Sequence, residues 1–466
     1  MHVQWISVSL VVVSVCLVPL LYSAGVSGQQ NSPIVVIDGL GTVQGTRGRT
    51  AWTDREIFKF YNIRYAEAPI GQQRFRNPIP VKPWSGVYNA ALPGKPCPQI
   101  GMNMSTSDLA AEDCLTLSVY TQNVTANRPV MVFIHGGAFV VGSASLYEPD
   151  YLLEKDIVLV SIQYRLGPLG FLSTGTANIP GNMAMLDMIT ALEWVSNNIR
   201  FFGGDRTSVT VFGESAGGAA VSALLYSPTV REDLFHRAII QSGSIFSPWA
   251  TCKSPKEGAL DIARRVNCDR PVETMEDCLR NVPALRLMEA HEEHRICGNL
   301  AIKAPVLQDV TRFAHANPGK VYLYSFDYSG VPSMYNFSST DDEFKYPYHN
   351  NSFHAEDLFY LFPLGQRLNP RDTEIAKAMV DLWTSFAVSG RPAAAALKQS
   401  WNPVSHFNGP YLKINEAYEE RQNYFNEFTA STDKARQQRS AATLLGLSRA
   451  TIAVVALLYS VIRHLM

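Results

Sequence analysis

The stretch Val209-Thr-Val-Phe-Gly-Glu-Ser215-Ala-Gly-Gly-Ala-Ala-Val221 constrains this chain more than any other. A β-branched run from Ser208 to Phe212 ends in Gly213-Glu214-Ser215-Ala216-Gly217 and passes straight into small, helix-compatible residues. G-x-S-x-G between a strand and a helix forces a turn so sharp that glycine is needed on both sides of the serine. Such a turn pushes the hydroxyl out above the sheet, at the positive end of the following helix. Ser215 is therefore the candidate nucleophile.

The rest of the chain supplies the sheet that such a turn requires. Ile34–Ile37 and Gly41–Gly45 read as a hairpin, Phe60–Tyr65 follows, and Glu112–Tyr120, Pro129–Ile134 and Val158–Tyr164 read as strands. Pro129–Ile134 is apolar throughout, as a central strand buried on both faces would be. Asp187–Ile199 carries helical spacing through Met188, Ala191, Leu192 and Val195, and Ala238–Gln241 continues the strand–helix alternation. The expected fold class is α/β, a mainly parallel central sheet flanked by helices. With 466 residues, 46% of them hydrophobic, the chain can bury a large core as one domain. A net charge of -1 gives no reason to expect a nucleic-acid partner.

A nucleophilic serine needs amides waiting where a carbonyl oxygen becomes charged. His135-Gly136-Gly137-Ala138-Phe139 follows the buried strand, so the N–H groups of Gly137, Ala138 and Ala216 are the candidates for an oxyanion hole. His135 fits shaping of that loop better than proton transfer.

These motifs resemble the type-B carboxylesterase/cholinesterase family of α/β-hydrolases. The matching residues include Glu112-Asp113-Cys114-Leu115, His135–Phe139, Tyr164–Phe171, Gly181-Asn182, Asn198-Ile199, Phe202–Asp205, Phe212–Gly218 and Gln241–Ser244. The resemblance extends from about Ile34 to Glu427 and implies hydrolysis of a small carboxylic ester through an acyl-enzyme on Ser215. It implies no cofactor and no metal. Ala138 stands where the family often has a third glycine; its amide is still a donor. Asn350–Leu358 is similar to the segment that bears the catalytic histidine, which assigns the base to His354. The family's two loop-closing disulfides correspond to Cys97–Cys114 and Cys268–Cys278, leaving Cys252 and Cys297 to pair or stay free. Choline-binding members carry a tryptophan in the first disulfide loop. Pro98–Asp113 has no aromatic residue, which favours a general esterase for uncharged esters.

The chain departs from the family at the acid of the triad. Family-like text runs through Arg280–His291, then resumes after Cys297 with residues that match a much later part. The resemblance thus implies an internal deletion near 297–298 that removes one core strand, several helices and the acid. Glu292, Glu293, Asp309 and Asp327 lie in the right interval, but none follows a strand in the right context, so the acid is unassigned. The alternative function is a catalytically silent, cholinesterase-like surface or adhesion protein.

Both ends read as addresses. Residues 1–28 have the apolar run and small-residue cleavage site of a signal peptide. Residues 29–428 form the hydrolase domain, and 429–466 a polar tail with a hydrophobic C-terminal segment. That segment fits a glycolipid-anchor signal or a short transmembrane anchor. Sequons at Asn103, Asn123, Asn336 and Asn350 complete the expectation of a glycoprotein, secreted or held on the extracellular face of the plasma membrane.

Overall fold

A computed structural model describes residues 32–100, 112–252, 254–292, 303–332, 352, 354–405 and 409–422. The signal segment, the C-terminal tail, Asn103, Asn336, Asn350, Glu293, Cys297 and the 297–298 junction lie outside the described residues.

The N-terminal hairpin forms as the sequence predicts: Ile34–Ile37 (β1) pairs antiparallel with Gly41–Gln44 (β2). Residues Thr46–Arg49 (β3), Glu56–Arg64 (β4), Val87–Asn89 (β5), Thr116–Thr121 (β6), Arg128–Ile134 (β7) and Val158–Ile162 (β8) follow. After them come Gly204–Glu214 (β9) and Arg237–Gln241 (β10), then Leu323–Phe326 (β11), Tyr411–Ile414 (β12) and Glu419–Arg421 (β13). The helices are Gly167–Phe171 (α1), Met183–Asn198 (α2), Ala216–Tyr226 (α3), Pro255–Arg265 (α4), Val272–Asn281 (α5), Ala284–Glu292 (α6), Lys303–Ala316 (α7) and Pro370–Ser389 (α8).

The central sheet has seven strands in the order β10-β9-β7-β8-β6-β4-β3. Its first four strands are parallel, and β8-β6, β6-β4 and β4-β3 are antiparallel, so the sheet is mixed, with only β6 and β3 reversed and most strands running one way. For β3 and β4 the cause is local: a short turn joins them, which permits only antiparallel pairing.

Alternation along the parallel strands divides the core. Val130, Val132 and Ile134 join one buried cluster with Met188, Leu192 and Val195 of α2 and with Val221 and Leu224 of α3. Met131 and Phe133 point the other way, into a cluster with Ile375, Met379 and Trp383 of α8. Each face of the sheet is thus covered by helices, and each fully buried large side chain contributes roughly 1.5–3 kcal/mol.

β11, β12 and β13 form a separate three-stranded sheet, and among the described residues no strand pairs with the outer edge of β10. Ala238, Ile239 and Ile240 on that edge strand are only half-buried.

Candidate active site

The chain reverses at Ser215, which is held at φ 55°, ψ −117° between β9 and α3. A side chain on either flanking glycine has nowhere to go. A Cβ on Gly213 would sit 2.6 Å from the Gly217 carbonyl, and one on Gly217 would collide with the Ile134 carbonyl oxygen. The Ser215 N–H donates to the Gln241 carbonyl at 2.8 Å, which ties the turn to the end of β10.

The glycine loop after β7 lies directly against this turn: a Cβ on Gly136 would be 3.1 Å from Ser215 Cβ. Gly137, Ala138 and Phe139 all take positive φ values, 107°, 54° and 62°. Among the described residues the amides of Gly137, Ala138 and Ala216 donate to no backbone carbonyl, which leaves them free for a substrate oxygen. The loop is fastened from behind. Phe139 O accepts from Gly167 N at 2.8 Å, and Tyr164 OH donates to His135 O at 2.7 Å. His135 is fully buried, its ring stacked on Tyr164 and its Nδ1 2.8 Å from Gly136 O. Burial lowers its pKa to about 4, so it is a neutral structural ring at physiological pH.

His354 reaches the same place from the far end of the chain. Its Nε2 is 2.8 Å from Ser215 Oγ, close enough to take the hydroxyl proton. The segment that carries it is anchored by burial: residues Glu356–Tyr360 form a buried 3-10 turn, and Phe362 packs between Phe133 and Phe212 at 4.8 and 6.3 Å. Burial pushes the His354 pKa below its ordinary value and the charge of Asp357 opposes that shift. The net lowering favours the neutral imidazole.

Of the carboxylates weighed as acids from the sequence, Asp309 and Asp327 are bound elsewhere, and Glu293 lies outside the described residues. Asp309 is buried against α3, accepting from Ser222 Oγ at 2.8 Å and Tyr226 OH at 3.0 Å. Asp327 pairs with Lys413 at 3.0 Å. Glu292 ends α6. Two other carboxylates, not singled out in the sequence, are at the site. Glu214 Oε1 is 3.3 Å from His354 Nε2, and Asp357 is buried three residues beyond the histidine. Glu214 was in view as the x of G-x-S-x-G, but nothing in a single sequence says which way its side chain turns.

The structure joins Cys97 to Cys114 and Cys268 to Cys278, while Cys252 is free and exposed. Asn123 is exposed, with its Oδ1 accepting from Thr125 N and Oγ1 at 2.9 and 2.8 Å.

A strained serine between a parallel strand and a helix, on a mixed sheet covered on both faces, defines an α/β-hydrolase. Comparison with known proteins gives the family. The carboxylesterase family model matches residues 31–296 and 294–432, two segments that meet close to the expected deletion. The chain is 43% identical over 249 residues to Esterase FE4 of Myzus persicae, covering 52% of this chain and 44% of that protein. It is 41% identical over 282 residues to Carboxylesterase 3 of Homo sapiens, covering 57% and 49%. It is 40% identical over 246 residues to Venom carboxylesterase-6 of Apis mellifera, covering 51% and 44%. The chain belongs to the carboxylesterase family, and the alignments span about half the length of these relatives or a little less. No helix among the described residues is long and apolar enough to cross a membrane.

Proposed function

We propose that the chain is a carboxylic ester hydrolase acting on small uncharged esters through an acyl-enzyme on Ser215, with turnover limited by the lack of an acid partner for His354. The observation that carries this reading is the 2.8 Å approach of His354 Nε2 to Ser215 Oγ, beside three amides free to bind an oxyanion. In the first half-reaction His354 takes the Oγ proton as the serine attacks the ester carbonyl. Gly137, Ala138 and Ala216 hold the oxyanion, and His354 returns the proton to the departing alcohol. Water then repeats the sequence on the acyl-enzyme.

The names of the relatives, all esterases, support the ester as substrate class. The signal-like residues 1–28, the two disulfides and the exposed sequon at Asn123 support a secreted or cell-surface glycoprotein, and the hydrophobic C-terminal segment supports a membrane anchor.

The test is fluorophosphonate labelling of the full chain, followed by turnover of 4-nitrophenyl butyrate per labelled site. Labelling is expected on Ser215 and should vanish in Ser215→Ala; label that persists in that variant refutes the nucleophile. Turnover is expected to be on the order of 10⁴-fold below that of a full-length carboxylesterase measured in parallel, the loss that follows removal of a triad acid. Turnover within tenfold of that enzyme would refute the impairment. A second reading, a silent surface protein, is favoured by the unassigned acid alone; it requires that Ser215 take no label.

A further inference from the structure

The glycine loop beside Ser215 is gripped from a second side by a residue that the proposed reaction leaves unused. Gln99 is fully buried two residues beyond Cys97, and the Cys97–Cys114 disulfide ties this part of the chain to the start of β6. Its side-chain amide pairs with the backbone of Gly142 in both directions. Nε2 donates to Gly142 O at 2.8 Å, and Oε1 accepts from Gly142 N at 2.9 Å. The other Nε2 proton goes to Cys97 O at 3.1 Å. Both donors and the acceptor of this buried amide are thus satisfied. A flipped amide would set N–H against the Gly142 N–H, so the network allows one orientation.

Gly142 is gripped where the loop has no slack. Gly137 O accepts from Val140 N and Val141 N, each at 3.0 Å, so residues 137–141 close into one turn. A Cβ on Gly137 would collide with the Val141 carbonyl, and a Cβ on Gly142 would lie 2.5 Å from both Gly136 O and His135 Nδ1. Gly142 therefore rests on the two residues that begin the loop. Packing this close passes a displacement on rather than absorbing it. Gln163 holds the exit of the loop, accepting from Ala144 N at 3.1 Å and donating to Ser143 Oγ at 3.0 Å.

We propose that Gln99 is a positioning residue of the oxyanion hole: by clamping Gly142 it sets where the amides of Gly137 and Ala138 point. This rests on the Ser215 acyl-enzyme reading above. An oxyanion donor acts only within hydrogen-bond reach of the place where charge develops, and losing one costs on the order of 10²–10³-fold in rate. Ala216, the third donor, follows the Ser215 turn, which is tied to Gln241 O instead. A loosened clamp would therefore weaken the hole without emptying it. The hydrogen bonds of Gln99 end on Cys97 and Gly142, not on Ser215 or His354, so nucleophile and base keep their contact when the clamp is lost.

The test is Gln99→Met in the full chain, which keeps the length of the side chain and removes its hydrogen bonds to Gly142. Fluorophosphonate labelling of Ser215 is followed over a range of probe concentrations. The phosphoryl oxygen of the probe occupies the oxyanion hole as Oγ attacks. The saturating rate should therefore fall roughly 10–100-fold, while the half-saturating concentration stays within about twofold. Unfolding would lower the labelled fraction but not that rate. Inhibition by a trifluoromethyl ketone, whose adduct on Ser215 carries a full oxyanion, should weaken by a similar factor. The rising limb of the pH–rate profile should stay in place, because the contacts of His354 are untouched. A saturating rate within about threefold of wild type, an unchanged ketone affinity or a displaced limb overturns the inference. If Gln99→Met does not fold, Gly142→Ala decides. Its methyl group presses on Gly136 and His135 directly, and it should give the same split between rate and half-saturation; a normal saturating rate is equally fatal. A wild-type chain that takes no label sinks the Ser215–His354 reading and this inference together, whereas wild-type labelling with a normal rate in the variant sinks this inference alone.

Discussion

Replacing Asp187 with alanine should destabilise the protein by about 3 kcal/mol. Asp187 is wholly buried on α2 and faces Arg165, whose side chain is only 3% exposed. Its Oδ2 accepts from Arg165 N at 3.1 Å and Nε at 2.8 Å, and its Oδ1 accepts from Nη2 at 2.6 Å. Asp187→Ala removes all three hydrogen bonds at once. Breaking a buried pair from one side costs about 3–5 kcal/mol, because the surviving charge stays buried without compensation. The low end applies here, since Arg165 keeps Arg76 O at 2.7 Å and Met183 O at 3.4 Å. Replacing both partners, as Arg165→Met with Asp187→Leu, leaves no orphaned charge and should cost much less than the single change. The effect should reach the active site, because Arg165 lies between Tyr164 and Gly167, the two residues that fasten the glycine loop. The assay is urea denaturation followed by tryptophan fluorescence, with free energies from linear extrapolation, alongside labelling of Ser215. A single variant within 1 kcal/mol of wild type, or a double variant less stable than the single, would refute the reasoning.

Three further outcomes are expected. His135 has a folded pKa lowered to about 4, against about 6.5 in an unfolded chain. The unfolded state therefore binds the extra proton, and stability, nearly full at pH 7, should fall by roughly 2.5 kcal/mol between pH 7 and 4.5. Denaturation midpoints across that range should show a shallower slope in His135→Gln, and an equal slope would contradict the assignment. Gly217→Ala forces a methyl group into the Ile134 carbonyl; labelling of Ser215 should be lost or greatly slowed, and a normal rate would show that the turn tolerates a side chain. Phosphatidylinositol-specific phospholipase should release the protein from cells. Retention together with an intact C-terminal peptide by mass spectrometry would instead favour a membrane span.

Local features of the chain were legible wherever sterics left one solution. Gly213 and Gly217 announce the turn because no other residue fits there, and Pro129–Ile134 announces a central strand because both of its faces are apolar. His354 was found through resemblance, since nothing in its own neighbourhood distinguishes a base from a surface histidine. The positions of Glu214 and Asp357 were not legible. They depend on contacts such as Gln241 with Asp357, 116 residues apart, and on side-chain directions that periodicity does not encode. The reversal of β6 and β3 was not legible for a related reason: strand pattern specifies which faces are buried, not which neighbour runs which way.

The break between β10 and β11 bears on when the site exists at all. In a continuous sheet, backbone ladders would make the region that carries His354 and the region that carries Ser215 open and close as one. Here, among the described residues, β10 meets the C-terminal elements through side-chain bonds such as Gln241 with Asp357 and Arg237 with Ala387 O, and through packing on α8. A seam of that kind separates cooperative units with different opening free energies. Amide hydrogen exchange should then be faster in β11, β12 and α8 than in β7 and β9, and the histidine would leave the serine during openings that the Ser215 turn survives. The fraction of time spent with base and nucleophile together becomes a property of that seam, adjustable by temperature or a ligand without any change to the reacting residues.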